Sequence, residues 1–517
     1  MKHQKLIIAA VVFIILCSAV IYYLPVMKKG YVPQLSSGDL ILARNLALTG
    51  VYALENEKGI ILSSENFNQN SLPADAGSRL TSYLYASLFK VLKPNTELPI
   101  YVAIACFALA NLILFFLVKR LLGLWQALFF SLLYLFIPAV WDGALFPGFY
   151  EFGVLFFSLG LCVYLYRDKC AWWQLALAGV FFGLAAAARN AFAISFVAVF
   201  IFDFIDKRSL KRLFILGFPC LLIFLVFIGR NNIYTQQGGS ESFGQYAHAF
   251  PDPYTFIFER DQYAQKMLAE AKGDVGQYFS DYGYKIGVKQ QVLAFINSIK
   301  FYSRELINLI NYGGPLIIFF AIVGWFELKK KKPELIKFFS IWFGLLFVIL
   351  IGLRTSNWDH LLEILFPVVL LAAAGFLWLF EIIRNSTLNK NNKVVLMAVL
   401  LFAIIGHFII ADKWMFHEEY TTGNMELLTK QAQIIKSANL SGQEVIAYGG
   451  HPAAVHHLNW LTDKNIVKFA PETLVSLSAG NKLKESFTYF GVTHILGYES
   501  NLADQVVSLT QVKGLDH

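Results

Sequence analysis

Long apolar runs, separated by short polar segments, dominate the chain. A helix that spans a bilayer needs roughly 17–25 predominantly apolar residues. Segments of that kind lie at 6–24, 98–118, 121–141, 149–166, 172–188, 191–205, 213–229, 310–328, 338–353, 361–380 and 394–411. The pattern therefore predicts a mainly α, polytopic membrane protein of about 11 transmembrane helices, in which the short fifth and sixth segments form a tight or partly re-entrant pair.

Basic residues in the short loops predict the orientation of these helices, because Lys and Arg are enriched in cytoplasmic loops. Alternate loops carry them here, at Lys119 and Arg120, Arg167 and Lys169, Lys207, Arg208, Lys211 and Arg212, Lys329 to Lys332, and Arg384, Lys390 and Lys393. The opposite short loops, such as 141–148, have almost none. The N-terminus is therefore expected in the cytoplasm and the C-terminal tail outside, as in a multi-pass protein of the bacterial inner membrane.

Three long segments, 25–97, 230–309 and 412–517, are then expected on the outer side. Residues 78–92 (SRLTSYLYASLFKVL) have apolar side chains at helical spacing, which predicts an amphipathic helix at the membrane interface. In the tail, 443–448 (QEVIAY) and 493–498 (THILGY) are typical of short strands, and 474–490 has helical character. The predicted domains are a transmembrane domain at 1–411, including its outer loops, and a small extracytoplasmic α/β domain at 412–517.

Composition agrees with the membrane class, since 57% of the 517 residues are hydrophobic and only 15% are charged, against about 25% in soluble domains. The net charge of +8 comes largely from the short-loop clusters, which indicates topology signals and argues against a nucleic-acid partner. The five cysteines lie in apolar segments or beside an inner loop. They therefore indicate neither a disulfide framework nor a cysteine metal site.

Asp39 and Arg189 are the first candidates for chemistry, and each has two interpretations. Asp39 follows Ser36-Ser37-Gly38, so it is either a helix cap near the membrane or a functional carboxylate at the outer mouth of the helical bundle. Arg189 lies between two apolar runs. It is either a functional arginine inside the bundle or one that extends to the outer interface.

Other polar residues also lie at the outer ends of the predicted membrane spans. Arg230 follows the seventh span on the predicted outer side, where the topology rule expects few basic residues. Binding of a phosphate would explain its presence there, since arginine matches phosphate oxygens with two parallel hydrogen bonds. Glu151, at the start of the fourth span, and Arg354 and His360 are also predicted at the outer ends of the spans.

A metal site is not indicated by the histidines of the tail. His451, His456 and His457 have a spacing that fits no standard zinc pattern, and no cysteine accompanies them.

The order of these residues resembles that of the GT-C glycosyltransferases, specifically the protein O-mannosyltransferase and aminoarabinose-transferase-like group, glycosyltransferase family 39. Asp39 followed by Ala43-Arg44-Asn45-Leu46-Ala47-Leu48-Thr49-Gly50 is similar to the acidic residue and A-R-N-L-A-x-x-G motif of the family's first outer loop. Further matches are Glu151, the segment 179–190 with Arg189, Arg230-Asn231 with Gly238-Gly239, and 359–367 with its proline.

The chain departs from the family pattern at two places. Asp39 stands alone where the family often has two adjacent acids, and His360 occupies the position of a late arginine. The resemblance covers roughly residues 1–410.

The resemblance implies transfer of a sugar from a polyprenyl-phosphate donor to an acceptor hydroxyl outside the membrane, with inversion. It implies Asp39 as the general base, and substrate contacts by Arg44, Glu151, Arg189, Arg230, Asn231 and His360. It implies no cofactor, although a divalent metal stays open, as do glycan, lipid and protein acceptors. Two alternatives are a lipid-linked glycan transporter or flippase, which intramembrane charges suit, and a non-catalytic envelope-assembly protein.

Overall fold

The computed structural model describes residues 37–56, 60–66, 71–73, 79–95, 97–137, 140, 148, 150–165, 171–189, 191–234, 296, 299–308, 314–353, 363–414, 424–441, 443–449, 454–469, 483–496 and 506–508. The chain divides into two compact units. The first unit comprises Met1–Tyr31, Pro99–Arg230 and Ser298–Thr421, and the second comprises Val32–Leu98, Asn231–Asn297 and Thr422–His517.

The elements are numbered in chain order. The helices are α1 (Ser37–Thr49), α2 (Arg79–Leu92), α3 (Leu98–Leu122), α4 (Leu124–Phe136), α5 (Glu151–Leu165), α6 (Trp172–Ala188), α7 (Ala191–Lys207), α8 (Leu210–Tyr234), α9 (Gly314–Lys331), α10 (Pro333–Leu353), α11 (Leu365–Asn385), α12 (Lys390–Trp414), α13 (Asn424–Ser437), α14 (Ala454–Thr462) and α15 (Leu483–Phe490). The strands are β1 (Ala53–Asn56), β2 (Ser71–Pro73), β3 (Val445–Tyr448), β4 (Asn465–Lys468), β5 (His494–Leu496) and β6 (Val506–Ser508).

Helices α3 to α12 coincide with the second to eleventh predicted spans, so the mainly α class is confirmed for the described residues. Among these residues, α3, α8, α11 and α12 are long and apolar enough to cross a membrane, and α4, α5 and α6 are shorter apolar helices. Helix α4 ends early, with Ile137 extended (φ −73°, ψ 122°), because the residue before a proline avoids the helical region. The first predicted span, 6–24, lies outside the described residues, and the count of eleven stays a prediction.

Glycines allow close helix packing in the first unit. A Cβ atom on Gly324 of α9 would lie 1.9 Å from the carbonyl oxygen of Leu371 in α11, and one on Gly375 would lie 2.0 Å from that of Phe320. The two helices therefore meet backbone to backbone, as small residues permit in membrane proteins. Around this contact, Phe376 of α11 stacks on Phe129 of α4 with ring centroids 4.0 Å apart.

Replacing Gly324 by alanine should destabilise the protein by about 1–3 kcal/mol, because the added methyl group meets backbone that cannot move aside. Thermal unfolding of the purified protein in detergent measures the effect. Gly344→Ala is the matched control, since the space around Gly344 in helix α10 is open and alanine is the better helix former. Equal melting temperatures for Gly324→Ala and wild type would refute the packing argument.

The second unit combines helices α1 and α2 with a four-stranded sheet in the order β4-β3-β5-β6. Strand β3 pairs in parallel with β4 and β5, and β6 is antiparallel to β5. The strands predicted at 443–448 and 493–498 correspond to β3 and β5, and α15 covers the end of the helix predicted at 474–490. Phe469, Phe487 and Phe490 form part of a buried apolar cluster that also takes in Ile60 and Leu62 from the first outer segment.

The division of the chain differs from the predicted boundary between 411 and 412. Residues 32–98 belong to the same compact unit as the tail, and not to the helical unit. A reciprocal pair of backbone hydrogen bonds, each 3.0 Å long, joins Ile61 to Ile466 at β4. The first outer segment thus extends the edge of the C-terminal sheet, which explains why the two sequence-distant pieces form one unit.

Helix α2 confirms the helix predicted at 78–92. Tyr85 and Phe89 are buried on one face, and Phe89 stacks on Trp460 of α14 at 5.8 Å. Val91 and Leu92, at the C-terminal end, are exposed. The apolar face of this helix therefore packs within its own unit, and contact with the membrane interface stays a prediction.

Candidate active site

Asp39 lies in the first turn of α1, where a negative charge is favoured by the partial positive charge of a helix N-terminus. Only 9% of the residue is exposed. The hydroxyl group of Ser82 in α2 lies 3.3 Å from Oδ1 of Asp39 and 3.4 Å from its carbonyl oxygen. The single proton of that hydroxyl is therefore shared between two acceptors. Asp39 is thus a largely buried carboxylate oriented by a neighbouring hydroxyl.

Tyr52 adds a second hydroxyl to the polar group formed by Asp39 and Ser82. Its hydroxyl lies 3.5 Å from Oγ of Ser82, and its ring stacks on Tyr83 with centroids 5.7 Å apart. Ser82 is fully buried, so the chain from Tyr52 through Ser82 to Asp39 is an internal feature of the second unit. Sequence reasoning missed Ser82 and Tyr52, since neither stands next to Asp39 in the chain.

Arg44, on the same helix, is only 4% exposed and contacts the C-terminal segment. Its Nη2 donates to Oδ1 of Asn459 at 3.0 Å and forms an ion pair with Oδ1 of Asp463 at 3.0 Å. Its Nη1 donates to the carbonyl oxygen of Asn459 at 3.3 Å. Burial lowers the pKa of the Arg44 guanidinium, and the charge of Asp463 opposes that shift.

These contacts engage Arg44 within its own unit, and its contact with substrate stays a prediction. Its guanidinium also lies 5.8 Å above the ring of Trp460. Most of its donors are thereby directed at protein groups, so the geometry indicates a role in holding α1 against α14. The sequence contains no signal for the partners Asn459, Trp460 and Asp463, which lie more than 400 residues away.

Glu151 opens α5 in the first unit and is fully buried. Its carboxylate accepts hydrogen bonds from the backbone N–H groups of Gly148, at 2.7 Å, and Tyr150, at 3.1 Å. These donors belong to the turn that leads into the helix, where N–H groups lack partners of their own. Glu151 therefore organises the start of α5, next to the residue that contacts Arg189.

Arg189 follows the last residue of α6 in an extended conformation (φ −153°, ψ 121°). It is 7% exposed, and its guanidinium carbon lies 3.9 Å from the centroid of the Tyr150 ring. A cation at this distance over an aromatic face is attracted by the ring quadrupole. Such burial is expected of an arginine held inside the helical unit, and not of one that extends to the interface. The sequence did not single out Tyr150.

The structure therefore brings the predicted residues together in two separate groups. Asp39 and Arg44 lie on one helix of the second unit, while Glu151 and Arg189 meet at Tyr150 in the first. Arg230 and Asn231 lie at the end of α8, where only the backbone is described, and His360 lies outside the described residues.

Among the described residues, no group of three or more His, Cys, Asp or Glu side chains could hold a metal ion. His456 and His457 lie on α14, and His451 falls outside the described part.

Comparison with known proteins rests on structure alone, since no family model and no curated protein matches the sequence. The oligosaccharyltransferase AglB from Archaeoglobus fulgidus, in complex with an inhibitory peptide and a dolichol-phosphate, matches with a TM-score of 0.54 at 12% identity, over 96% of this chain and 70% of AglB.

Two further structures give the same result. The Archaeoglobus fulgidus oligosaccharyltransferase tethered to an acceptor peptide matches with a TM-score of 0.56 at 12% identity, over 95% of this chain and 69% of that one. ArnT from Cupriavidus metallidurans matches with a TM-score of 0.50 at 10% identity, over 95% of this chain and 91% of ArnT. Because the matches extend over nearly the whole chain, this protein shares its fold with the oligosaccharyltransferase AglB and with ArnT.

Proposed function

We propose that the protein is a membrane glycosyltransferase that moves a sugar from a polyprenyl-phosphate donor to an acceptor hydroxyl on the outer side of the membrane. The observation that carries the proposal is the GT-C fold over almost the entire chain, shared with an oligosaccharyltransferase whose structure holds a dolichol-phosphate. We assign the chemistry to the carboxylate of Asp39 and the guanidinium of Arg189, each of which is buried within its own unit. No soluble nucleotide sugar reaches the outer side, which is why a lipid-linked donor is proposed.

In this mechanism Asp39 is the general base. It takes the proton of the acceptor hydroxyl while the acceptor oxygen forms a bond to the anomeric carbon of the sugar. The bond between that carbon and the phosphate oxygen breaks, and polyprenyl phosphate leaves with the electron pair. Direct attack from the opposite side inverts the anomeric centre.

Arg189 is the proposed contact of the leaving phosphate. Negative charge grows on the phosphate oxygens as the bond to the sugar breaks, so a fixed cation stabilises the transition state more than the ground state. The ring of Tyr150 holds the guanidinium plane, and Glu151 holds the turn that carries Tyr150. Arg230 is a second proposed phosphate contact, with Asn231 and His360 as further substrate contacts, on the strength of the sequence motifs alone.

Replacing Ser82 by alanine should lower turnover by about 10-fold, because the variant loses the hydroxyl that hydrogen-bonds to the Asp39 carboxylate. Turnover by the purified variant in nanodiscs measures the loss, with Ser87→Ala, an exposed serine on the same helix, as control. Wild-type turnover in folded Ser82→Ala would show that this hydroxyl does not orient the proposed base.

The function itself is tested with purified protein in lipid nanodiscs, supplied with polyprenyl-phosphate sugars and candidate acceptors. Mass spectrometry should detect the glycosylated acceptor and released polyprenyl phosphate. A flippase would move the donor across a vesicle membrane without cleaving it. A non-catalytic assembly protein would do neither, and would change envelope glycans only through its partners in a deletion strain. Accumulation of the lipid-linked donor in that strain, together with loss of one glycan, would name the acceptor class.

A further inference from the structure

The C-terminal segment contacts the helix that carries Asp39 through groups that the proposed chemistry leaves unused. Arg44 makes two hydrogen bonds to Asn459 and an ion pair with Asp463. A guanidinium is planar and directs its donors along fixed lines. Three contacts with one turn of the tail therefore restrict both the position of Arg44 and the rotation of α1 about its axis.

The same turn also holds the chain that follows α1. Asp463 accepts a hydrogen bond from the backbone N–H of Ser64 at 2.8 Å, and the Asn459 amide donates to the carbonyl oxygen of Leu62 at 3.1 Å. Asn465 accepts from the N–H of Ser63 at 2.9 Å. Residues 459–465 therefore hold the first outer segment at two places, at α1 and again after β1. A tail domain that folded independently would not need both attachments.

Asp39 and Arg44 are five residues apart on one continuous helix, about 7.5 Å along its axis. A helix moves as a rigid element, so a shift at Arg44 is carried to Asp39. On its other side, α1 contacts α2 through the Ser82 hydroxyl. The carboxylate is therefore aligned from two sides, one of them supplied by the C-terminal segment.

We propose that Asn459 and Asp463 are positioning residues, which hold Arg44 so that α1 presents the Asp39 carboxylate to the acceptor hydroxyl. The C-terminal segment is then part of the catalytic apparatus and not an accessory domain. This inference rests on the proposed function, because it acts through the base. Misplacing a catalytic group by about 1 Å can cost on the order of 100-fold in rate.

The test compares Asp463→Ala with the conservative Asp463→Asn, which keeps an oxygen acceptor for Arg44 and Ser64. Turnover is expressed per folded molecule, after selection of monodisperse protein by size exclusion. Asp463→Ala should lower kcat by about 10- to 100-fold while KM for the polyprenyl-phosphate donor stays near the wild-type value, and Asp463→Asn should recover part of the loss. Glu485→Ala, an exposed acid on α15 of the same segment, is the matched control and should behave as wild type.

Hydrogen exchange provides a readout that does not need activity. Amides of α1 should exchange faster in Asp463→Ala than in wild type, while those of α15 should not change. A purely structural role would reduce the amount of folded protein and leave kcat per folded molecule unchanged. Wild-type kcat in folded Asp463→Ala, or unchanged exchange in α1, would overturn the inference and leave the proposed glycosyltransferase intact. Failure of the wild-type protein to transfer sugar would instead overturn the proposed function, and this inference with it.

Discussion

Replacing Asp39 by asparagine should lower sugar transfer by about 10²- to 10⁴-fold, the range that general-base catalysis contributes. Asparagine has nearly the same shape and still accepts a hydrogen bond from Ser82, but its amide cannot take a proton from the acceptor. The protein should therefore fold and insert as the wild type does. Turnover of a polyprenyl-phosphate sugar by the purified variant in nanodiscs measures the loss.

The matched control for Asp39→Asn is Glu65→Gln, an exposed acid in the same outer segment. It makes the same acid-to-amide change away from the polar group around Asp39, and it should retain full activity. Asp39→Glu, which keeps the base but lengthens the side chain by one methylene, should fall between Asp39→Asn and wild type. Near-normal turnover in Asp39→Asn, with the variant folded and inserted, would eliminate Asp39 as the base.

Replacing Arg189 by alanine should lower kcat/KM for the donor by about 10²- to 10³-fold, comparable to removal of one group that stabilises developing negative charge. Arg189→Lys should recover only part of this loss, because an ammonium group keeps the charge but loses the planar fork and the stacking on Tyr150. Kinetics at varied donor concentration separate binding from the chemical step.

For Arg189 the structure offers Arg384→Ala as the control, an exposed arginine at the end of α11 in the same unit. The loss in Arg189→Ala should shrink for a donor analogue that carries a neutral group in place of the phosphate, because the charge interaction is then absent from both proteins. An equal loss with both donors would show that Arg189 acts through folding of the helical unit and not through the phosphate.

The positions of the helices could be predicted because a bilayer leaves a long apolar run few alternatives. Every backbone polar group must find its partner within the segment, and a helix does that locally. The segments at 98–118 and 394–411 therefore became α3 and α12 without help from tertiary contacts. The helix at 78–92 followed for a related reason, since its apolar spacing matches a helical period.

The domain boundary could not be predicted in this way. Hydropathy separates apolar runs from polar segments, but it does not show which polar segments pack together. The pairing of Ile61 with Ile466 and the shared apolar cluster of Ile60, Leu62 and Phe469 combine pieces of chain that the transmembrane helices separate. A boundary drawn at 411 therefore assigned the first outer segment to the helical unit, whereas it packs with the tail.

The sequence by itself determined the membrane class, helices α2 to α12 and the chemical type of the candidate residues. Asp39, Glu151 and Arg189 were named from their place in the chain, and Arg44 from its match to a family motif. Only the tertiary structure decided what they contact: Asp39 meets Ser82, Arg44 meets Asn459 and Asp463, and Arg189 meets Tyr150. The physical reason is the distance along the chain over which each effect acts. Hydropathy and helical period act over neighbouring residues, whereas a hydrogen bond or a cation over a ring depends on a few ångströms between groups that the fold alone brings together.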